Sequence, residues 1–497
     1  MANREELGVI RAARAGQARA QLELGKLYLF GSTGLPKSLP TALHWLDRAA
    51  QQDCAEAWEL IGLHVPLGLA QQSGRPLAQW YERAFDAGQV PAGLVMAQLV
   101  LGDPHAGPAQ RAKARLALEA AARAGLADAQ WLLAQQQEAA PAADAPAPAL
   151  HAGWTRRAAD SGVVAARFAL SEQAWSTRDG AAYLVQALPL ARAVLASGLR
   201  PSADEAVLLS RCARALAASE GDVDQAELNK MWELAAAEHE RHAQMAVGLG
   251  LARMRVDGQR IPGGPGSANF KKAIRWLTMA GEQGLAEAWY ALSRIYIKPE
   301  FSQRNVSDAQ AYLERAAEMG YRDAQLECGN HAWRARREQA FNDVRAVYWL
   351  QKAAAQGCPQ ARAALDKIAP AGSADDAGTW RSLQGSAQAA HYPLLAARLE
   401  LGAIFRLTRA EALLLDVKAA DQGHCLVVDI RASYGRSKRR LVMVETAAQR
   451  QALDRIVRSF EQVDAGPNGP EGNYRQRLYR LKTLAPEVLE EQYELAA

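Results

Sequence analysis

Aromatic side chains are scarce in this chain, at 7% of 497 residues, and no stretch reads as an apolar run of membrane-spanning length. The opening residues, MANREELGVIRAARAG, lack an apolar h-region, a small-residue cleavage site and a lipobox cysteine. A soluble, cytoplasmic chain with no membrane partner is the expectation. The five cysteines (Cys54, Cys212, Cys328, Cys358, Cys425) are odd in number, widely spaced and without a CxxC. That argues against a disulfide framework or a zinc knuckle and fits a reducing compartment. Charge of one sign is also missing: the net +4 and pI near 8.7 do not by themselves identify a nucleic-acid binder.

What is abundant is Ala, Leu, Arg, Gln and Glu, which favour helix intrinsically; small Ala side chains also let helices approach closely. A chain of this length exceeds one compact core and suits several domains or a solenoid. Repeats are visible in LHWLDRAAQQDCAEAWEL (43–60), LAQWYERAFDAGQVPAGL (77–94), IRWLTMAGEQGLAEAWYAL (274–292), AYLERAAEMGYRDAQLEC (311–328) and VYWLQKAAAQGCPQARAAL (347–365). Each reads as an aromatic-containing helix, a small-residue pair, a turn residue and a second helix. The turn falls at Gly16, Asp53, Gly88, Gly125, Gly162, Gly198, His239, Gly284, Gly320 and Gly357, at steps of 37, 35, 37, 37, 36, 41, 45, 36 and 37. A period near 36 residues implies antiparallel helix pairs, none able to bury its apolar face alone, stacked into a superhelix. The longest step contains the insert GQRIPGGPGSAN (258–269), the other the acidic EGDVDQAE (220–227). An Ala-Pro stretch, 137–151, reads as a connector between helices.

These residues resemble the Sel1-like repeats, relatives of the tetratricopeptide repeats. Ala20, Leu24, Gly25, Tyr28 and Gly31 match the first helix of that pattern, and Ala42, Trp45, Leu46, Arg48, Ala49 and Ala50 match the second. The match is clear over 16–62 and 270–365 and degenerate over 90–240, within an overall span of 8–395. The resemblance implies a right-handed α-solenoid that holds a protein or peptide partner on a concave face, and implies no reaction.

Beyond residue 395 the period fails. YPLLAARLELGAIFRLTRAEALLLDVKAA reads as a helix and CLVVDIRA (425–432) as a strand. The basic turn SYGRSKRR then leads to a second strand, LVMVE (441–445). A helix capped by Thr446 covers 446–463, and a basic helix covers 474–484. The expected division is therefore a repeat domain over 1–395 and an α+β module over 396–497. Twelve cations face five acids between 431 and 482, a local charge of +7. The candidate contacts to nucleic acid or an acidic partner are Arg431, Arg436, Lys438, Arg439, Arg440, Arg475, Arg477, Arg480 and Lys482.

The run from Phe405 to Ile456 also resembles the core of a tyrosine recombinase catalytic domain. Glu411 matches that family's helix glutamate, and Arg440-Leu441-Val442-Met443-Val444 matches its strand. Thr408 stands where the first catalytic arginine belongs, between Arg406 and Arg409, and Lys438 only approximates the hairpin lysine. No histidine follows His424, so the H-x-x-R motif is missing, and Tyr474, Tyr479 and Tyr493 lack the setting of a nucleophile. The resemblance implies a module that touches DNA without recombinase activity.

Other constellations carry less. His239 and His242 share a helix face without a third metal ligand. GGPGSAN lacks the lysine and preceding strand of a phosphate loop. Trp45, Trp80, Trp276 and Trp349 recur at matching repeat positions and read as core between repeats. The sequence thus points to a non-enzymatic scaffold without cofactor, metal or small-molecule substrate. Its expected partner is a protein or peptide, and the alternative is a DNA-associated protein.

Overall fold

The computed structural model describes residues 4–138, 148–219, 221, 223–262, 267–339, 341–370, 391–429, 439–464 and 468–484. The chain folds as an α-solenoid of helix pairs with a small C-terminal α+β module, divided into two compact units, Met1–Leu234 and Ala235–Ala497. In the first unit six pairs follow one another: Arg4–Arg14 with Ala18–Phe30, Leu39–Ala50 with Ala55–His64, and Ala78–Asp86 with Val90–Leu101. Pro108–Arg123 then pairs with Ala127–Glu138, Pro148–Asp160 with Val164–Ser176, and Gly180–Ser197 with Ala203–Ala218. Helical pairing therefore continues through the stretch where the sequence pattern is degenerate. The connector read at 137–151 is shorter than expected, because the helix begins at Pro148, a residue suited to a first turn.

In the second unit, Arg241–Ala252 precedes three pairs: Phe270–Glu282 with Ala286–Tyr296, Val306–Glu318 with Arg322–Arg334, and Asn342–Ala355 with Pro359–Ile368. Every one of the ten turn positions has positive φ, including Gly320 at +94°. At Gly320 the missing Cβ makes this left-handed backbone accessible. Asp53 (+56°) and His239 (+64°) adopt it as residue types that tolerate that region.

A buried polar relay accompanies these turns. The carbonyl three residues before the turn accepts the N–H of the turn residue, Gly16 to Ala13 O at 3.1 Å and Gly320 to Ala317 O at 3.0 Å, and its second lone pair takes a side chain. Five residues after the turn, Gln21 Nε2 donates to Ala13 O (3.1 Å), Gln130 Nε2 to Ala122 O (3.1 Å) and Gln325 Nε2 to Ala317 O (3.0 Å). Trp289 Nε1 does the same for Gly281 O at 2.9 Å. The glutamine oxygen then accepts from the next repeat: Gln52 Nε2 reaches Gln21 Oε1 at 2.7 Å, and Gln356 Nε2 reaches Gln325 Oε1 at 2.8 Å. One side chain thus closes a helix end and links neighbouring repeats.

One described helix, Gly180–Ser197, is long and apolar enough by composition to cross a membrane, contrary to the reading that no such run exists; its mean hydropathy is 1.2. Here it belongs to a repeat pair: Tyr183, Ala187 and Ala191 are buried, and Arg192 is ion-paired with Glu227 at 2.8 Å.

The segment from 392 to 420, read as a single helix, is broken into Pro393–Phe405, Arg409–Leu414 and Val417–Ala420. Arg406 turns left-handed (φ +50°), Thr408 starts the second piece with a capping box to Glu411, and Asp416 caps the third. Strand β1 (Cys425–Val428) pairs antiparallel with β2 (Arg440–Met443), Leu426 opposite Val442. Alternation sends Cys425, Val427 and Leu441 into a core with Val347, Leu350 and Leu365 of the last repeat. Leu426, Val428 and Val442 face the other way, into the core of the helices Ala447–Phe460 and Tyr474–Leu484. The hairpin is thus buried on both faces and covers the exposed end of the last repeat, as a solenoid cap must.

All five cysteines are free, and burial pushes the thiols of Cys212, Cys328 and Cys425 up to about 12. They behave as small core residues.

Candidate functional site

Two regions bear on function: the module to which the sequence assigns the basic contacts, and the grooves between helix pairs. In the module, Arg431, Arg436 and Lys438 lie outside the described residues. Arg439 donates from Nε and Nη2 to the Asp343 carboxylate at 2.7 and 3.0 Å, fastening the hairpin to the last repeat. Arg440 makes the same fork with Glu411, 2.6 Å at both oxygens. Arg477 is buried, donates to Leu413 O at 2.7 Å and approaches Glu471 at 3.5 Å. Arg480 donates to Glu471 O at 2.7 Å. Arg475 and Lys482 are exposed. Four of the six described cations therefore hold the module together.

Glu411, matched on sequence to the recombinase glutamate, closes the Thr408 capping box and anchors Arg440 instead. Burial pushes its carboxyl up, but Arg440 and the Thr408 backbone outweigh that and hold it below its ordinary 4.5. Asp343 and Asp421 are likewise raised by burial and brought below 3.8 by Arg439 and Arg450. A carboxyl whose folded pKa lies below its unfolded one contributes stability above the unfolded value and loses it as pH falls through the folded one. Thermal unfolding followed by near-UV circular dichroism should therefore show the second unit weakening as pH drops below about 4.5. Arg440→Gln should cost about 2 kcal/mol at neutral pH and flatten part of that acid dependence. A variant as stable as the parent at neutral pH would remove Arg440 from the anchor.

Among the described residues no group of His, Cys, Asp and Glu is placed to hold a metal, and His239 sits in a left-handed turn. Of the repeat tryptophans, Trp80 and Trp349 are buried, while Trp45 and Trp276 are half-buried. Trp80 donates to the buried Asp47 at 2.8 Å and stacks on Trp58, with Arg83 lying over both rings. Trp58 and Trp80 pack in the core of the first unit, with the Arg83 cation over their faces.

The groove of the first unit lies between Pro148–Asp160, Val164–Ser176 and Gly180–Ser197 and encloses about 500 Å³. Leu170, Ala182 and Val185 supply apolar lining, and Arg156, Asp160 and Asp179 supply charge. Val185 is 68% exposed, and Val164 and Phe168 are exposed on the neighbouring helix. No period or motif marks these residues, because only the packing of helices shows which apolar side chains are left outside.

The Sel1 repeat family model matches residues 18–54, 242–285, 286–321 and 337–358, and no curated protein matches the chain. The matched stretches, under a third of the chain, read as Sel1 repeats. Among solved structures, it is similar to a protective antigen of uropathogenic Escherichia coli with an SLR fold. That match is 20% identical, covers 98% of this chain and 95% of the antigen, and has a TM-score of 0.42. A Sel1 repeat protein from Oxalobacter formigenes is 20% identical over 74% of this chain and 91% of its own, with a TM-score of 0.25. One from Klebsiella pneumoniae is 18% identical over 57% and 95%, with a TM-score of 0.16. None of these comparisons supports the recombinase resemblance.

Proposed function

We propose that this Sel1-repeat chain is a non-catalytic scaffold that holds a protein or peptide partner on the surface of its helix pairs. The observation that carries this reading is the groove of the first unit, where exposed Val185 stands beside Leu170 and is ringed by charged side chains. An apolar patch rimmed by polar groups is what a protein interface needs: burial supplies affinity and the rim supplies register. The DNA-associated alternative gains less support, because Arg439, Arg440, Arg477 and Arg480 already have partners within the chain.

The test is a selection of displayed peptides against the full chain, followed by affinity measurement on Val185→Glu. A charge in the groove should weaken selected peptides at least tenfold, about 1.4 kcal/mol, while leaving the circular dichroism spectrum unchanged. Unchanged affinity would move the interface elsewhere, and failure to select any peptide would count against the scaffold reading.

A further inference from the structure

The hairpin is the only sheet among the described residues, so each of its strands has an outer edge. Val444 N donates to His424 O at 3.0 Å, which makes His424 and Val444 a hydrogen-bonded pair. Antiparallel pairs alternate, so Leu426–Val442 and Val428–Arg440 are bonded as well. Cys425–Met443 and Val427–Leu441 therefore turn their N–H and C=O groups outward. On the β1 side that edge is closed: Gln422 N donates to Cys425 O at 3.0 Å, beside the bridge from Asp421 to Leu426. On the β2 side no main-chain partner meets Leu441 or Met443 among the described residues. Leu441 is 2% exposed, so the edge opens at the half-buried Met443.

Beside Met443 lies a cleft of about 330 Å³. Its lining comes from two layers. Ala369 and Pro370 follow the second helix of the last repeat, and Ala403 and Phe405 end the helix Pro393–Phe405. From β2 the cleft takes both Val442, which faces the core of the module helices, and Met443, which packs on the core of the last repeat. A space that touches both layers and both faces of one strand lies at the edge of that strand. It has the place a third strand would take.

This placement defines the occupant. Outward N–H and C=O groups on one residue of a strand edge are met by an extended chain and not by a helix, whose own main chain is already paired. Side chains of an added strand alternate between the faces of the sheet. Here one face leads to Ala369 and the other to Ala403 and Phe405, so both sets meet apolar surroundings. The hairpin already joins the last repeat to the module, and an added strand would carry that contact outward. We propose that the outer edge of β2 binds an extended peptide segment of a partner protein, pairing with Met443 through its main chain and setting small or apolar side chains alternately against Ala369 and Phe405. This contact is separate from the groove at Val185.

Peptide selection against the full chain carrying Val185→Glu, with its groove blocked, tests the edge apart from the groove. Calorimetry on the selected peptides supplies two readouts. Methylating one main-chain amide at a time should cost at least tenfold where the N–H meets Met443 O, and little at the residues on either side, whose N–H points away. Met443→Pro should also lose at least tenfold, since proline removes the outward N–H while the ladder to β1 loses no bond. If that variant unfolds, the methylation profile on the folded chain decides alone. No selected peptide, a profile without one sensitive position between two insensitive ones, or affinity unchanged in folded Met443→Pro would each overturn the proposal. So would self-association of the chain that Met443→Pro abolishes, by assigning the edge to a second copy.

Discussion

Replacing Arg398 with Met is expected to unfold the C-terminal module while leaving the helix pairs of the first unit intact. Arg398 is fully buried, and its carboxylate partner Glu471 is 4% exposed, so neither charge has water to fall back on. Removing Arg398 leaves the buried Glu471 carboxylate with the longer Arg477 contact at 3.5 Å in place of a fork at 2.7 Å, a change that costs about 3–5 kcal/mol. Two further acceptors, Ala412 O and Leu415 O, lose their donor at the same time. Ala412 lies in the short helix Arg409–Leu414 and Leu415 is its C-cap, so the damage should spread through the core residues Leu413, Leu415 and Phe460. Amide exchange would show protection lost over 393–420 and 474–484 and retained over 18–101. Arg398→Met with Glu471→Leu should recover much of the loss, since apolar replacement of both buried partners is often tolerated. A single variant within about 0.5 kcal/mol of the parent would mean that the pair does not hold the module.

This cluster marks where the sequence stops being informative. Arg398 and Glu471 are 73 residues apart, and no period, motif or charge run links them. Arg477 and Arg480 were legible as cations of a basic helix, and Arg440 as part of a basic turn, but charge alone does not say whether a guanidinium meets a phosphate or a neighbouring carboxylate. Local signals did better. The ten turn positions follow from spacing and all have positive φ, and Thr446 caps its helix with Gln449 as the reciprocal partner. The basic helix spans Tyr474–Leu484 as read, and the strands lie within one residue of their expected starts, though β1 and β2 end at Val428 and Met443. No glycine or proline marks the break at Arg406; the capping box that starts again at Thr408 was the available clue. The groove at Val185 was illegible for a different reason. Exposure of an apolar residue depends on how far apart two helices stand, and that distance is not written in any one of them.

The close contacts between helices do have a local signature, and it supplies the second large expected effect. At the glycine of the repeat's first helix, Leu24-Gly25, Val247-Gly248 and Cys328-Gly329, one helix meets the next. At Gly329 a Cβ would lie 2.7 Å from Leu350 Cγ and 2.9 Å from its Cδ2; Gly25 meets Leu46 at 2.7 Å and Gly248 meets Leu277 at 2.8 Å. Leu350 is itself fully buried among Val347, Leu365 and the hairpin residues Cys425 and Val427, so it has no room to retreat. Gly329→Ala should therefore destabilise the second unit by about 1–3 kcal/mol through overpacking, even though alanine is the better helix former by about 1 kcal/mol. The sign of the result decides between these effects: a stabilised variant would mean that propensity wins and that the helices can part. Leu350→Ala alone should cost about 2–5 kcal/mol through the cavity it opens. Combining the two should cost less than the sum, because the new methyl enters the space that the leucine leaves. A double-mutant cycle in denaturant would read this as a coupling of about 0.5–3 kcal/mol. Strict additivity would show that Gly329 and Leu350 do not press on one another, and that the glycine serves the backbone of its own helix.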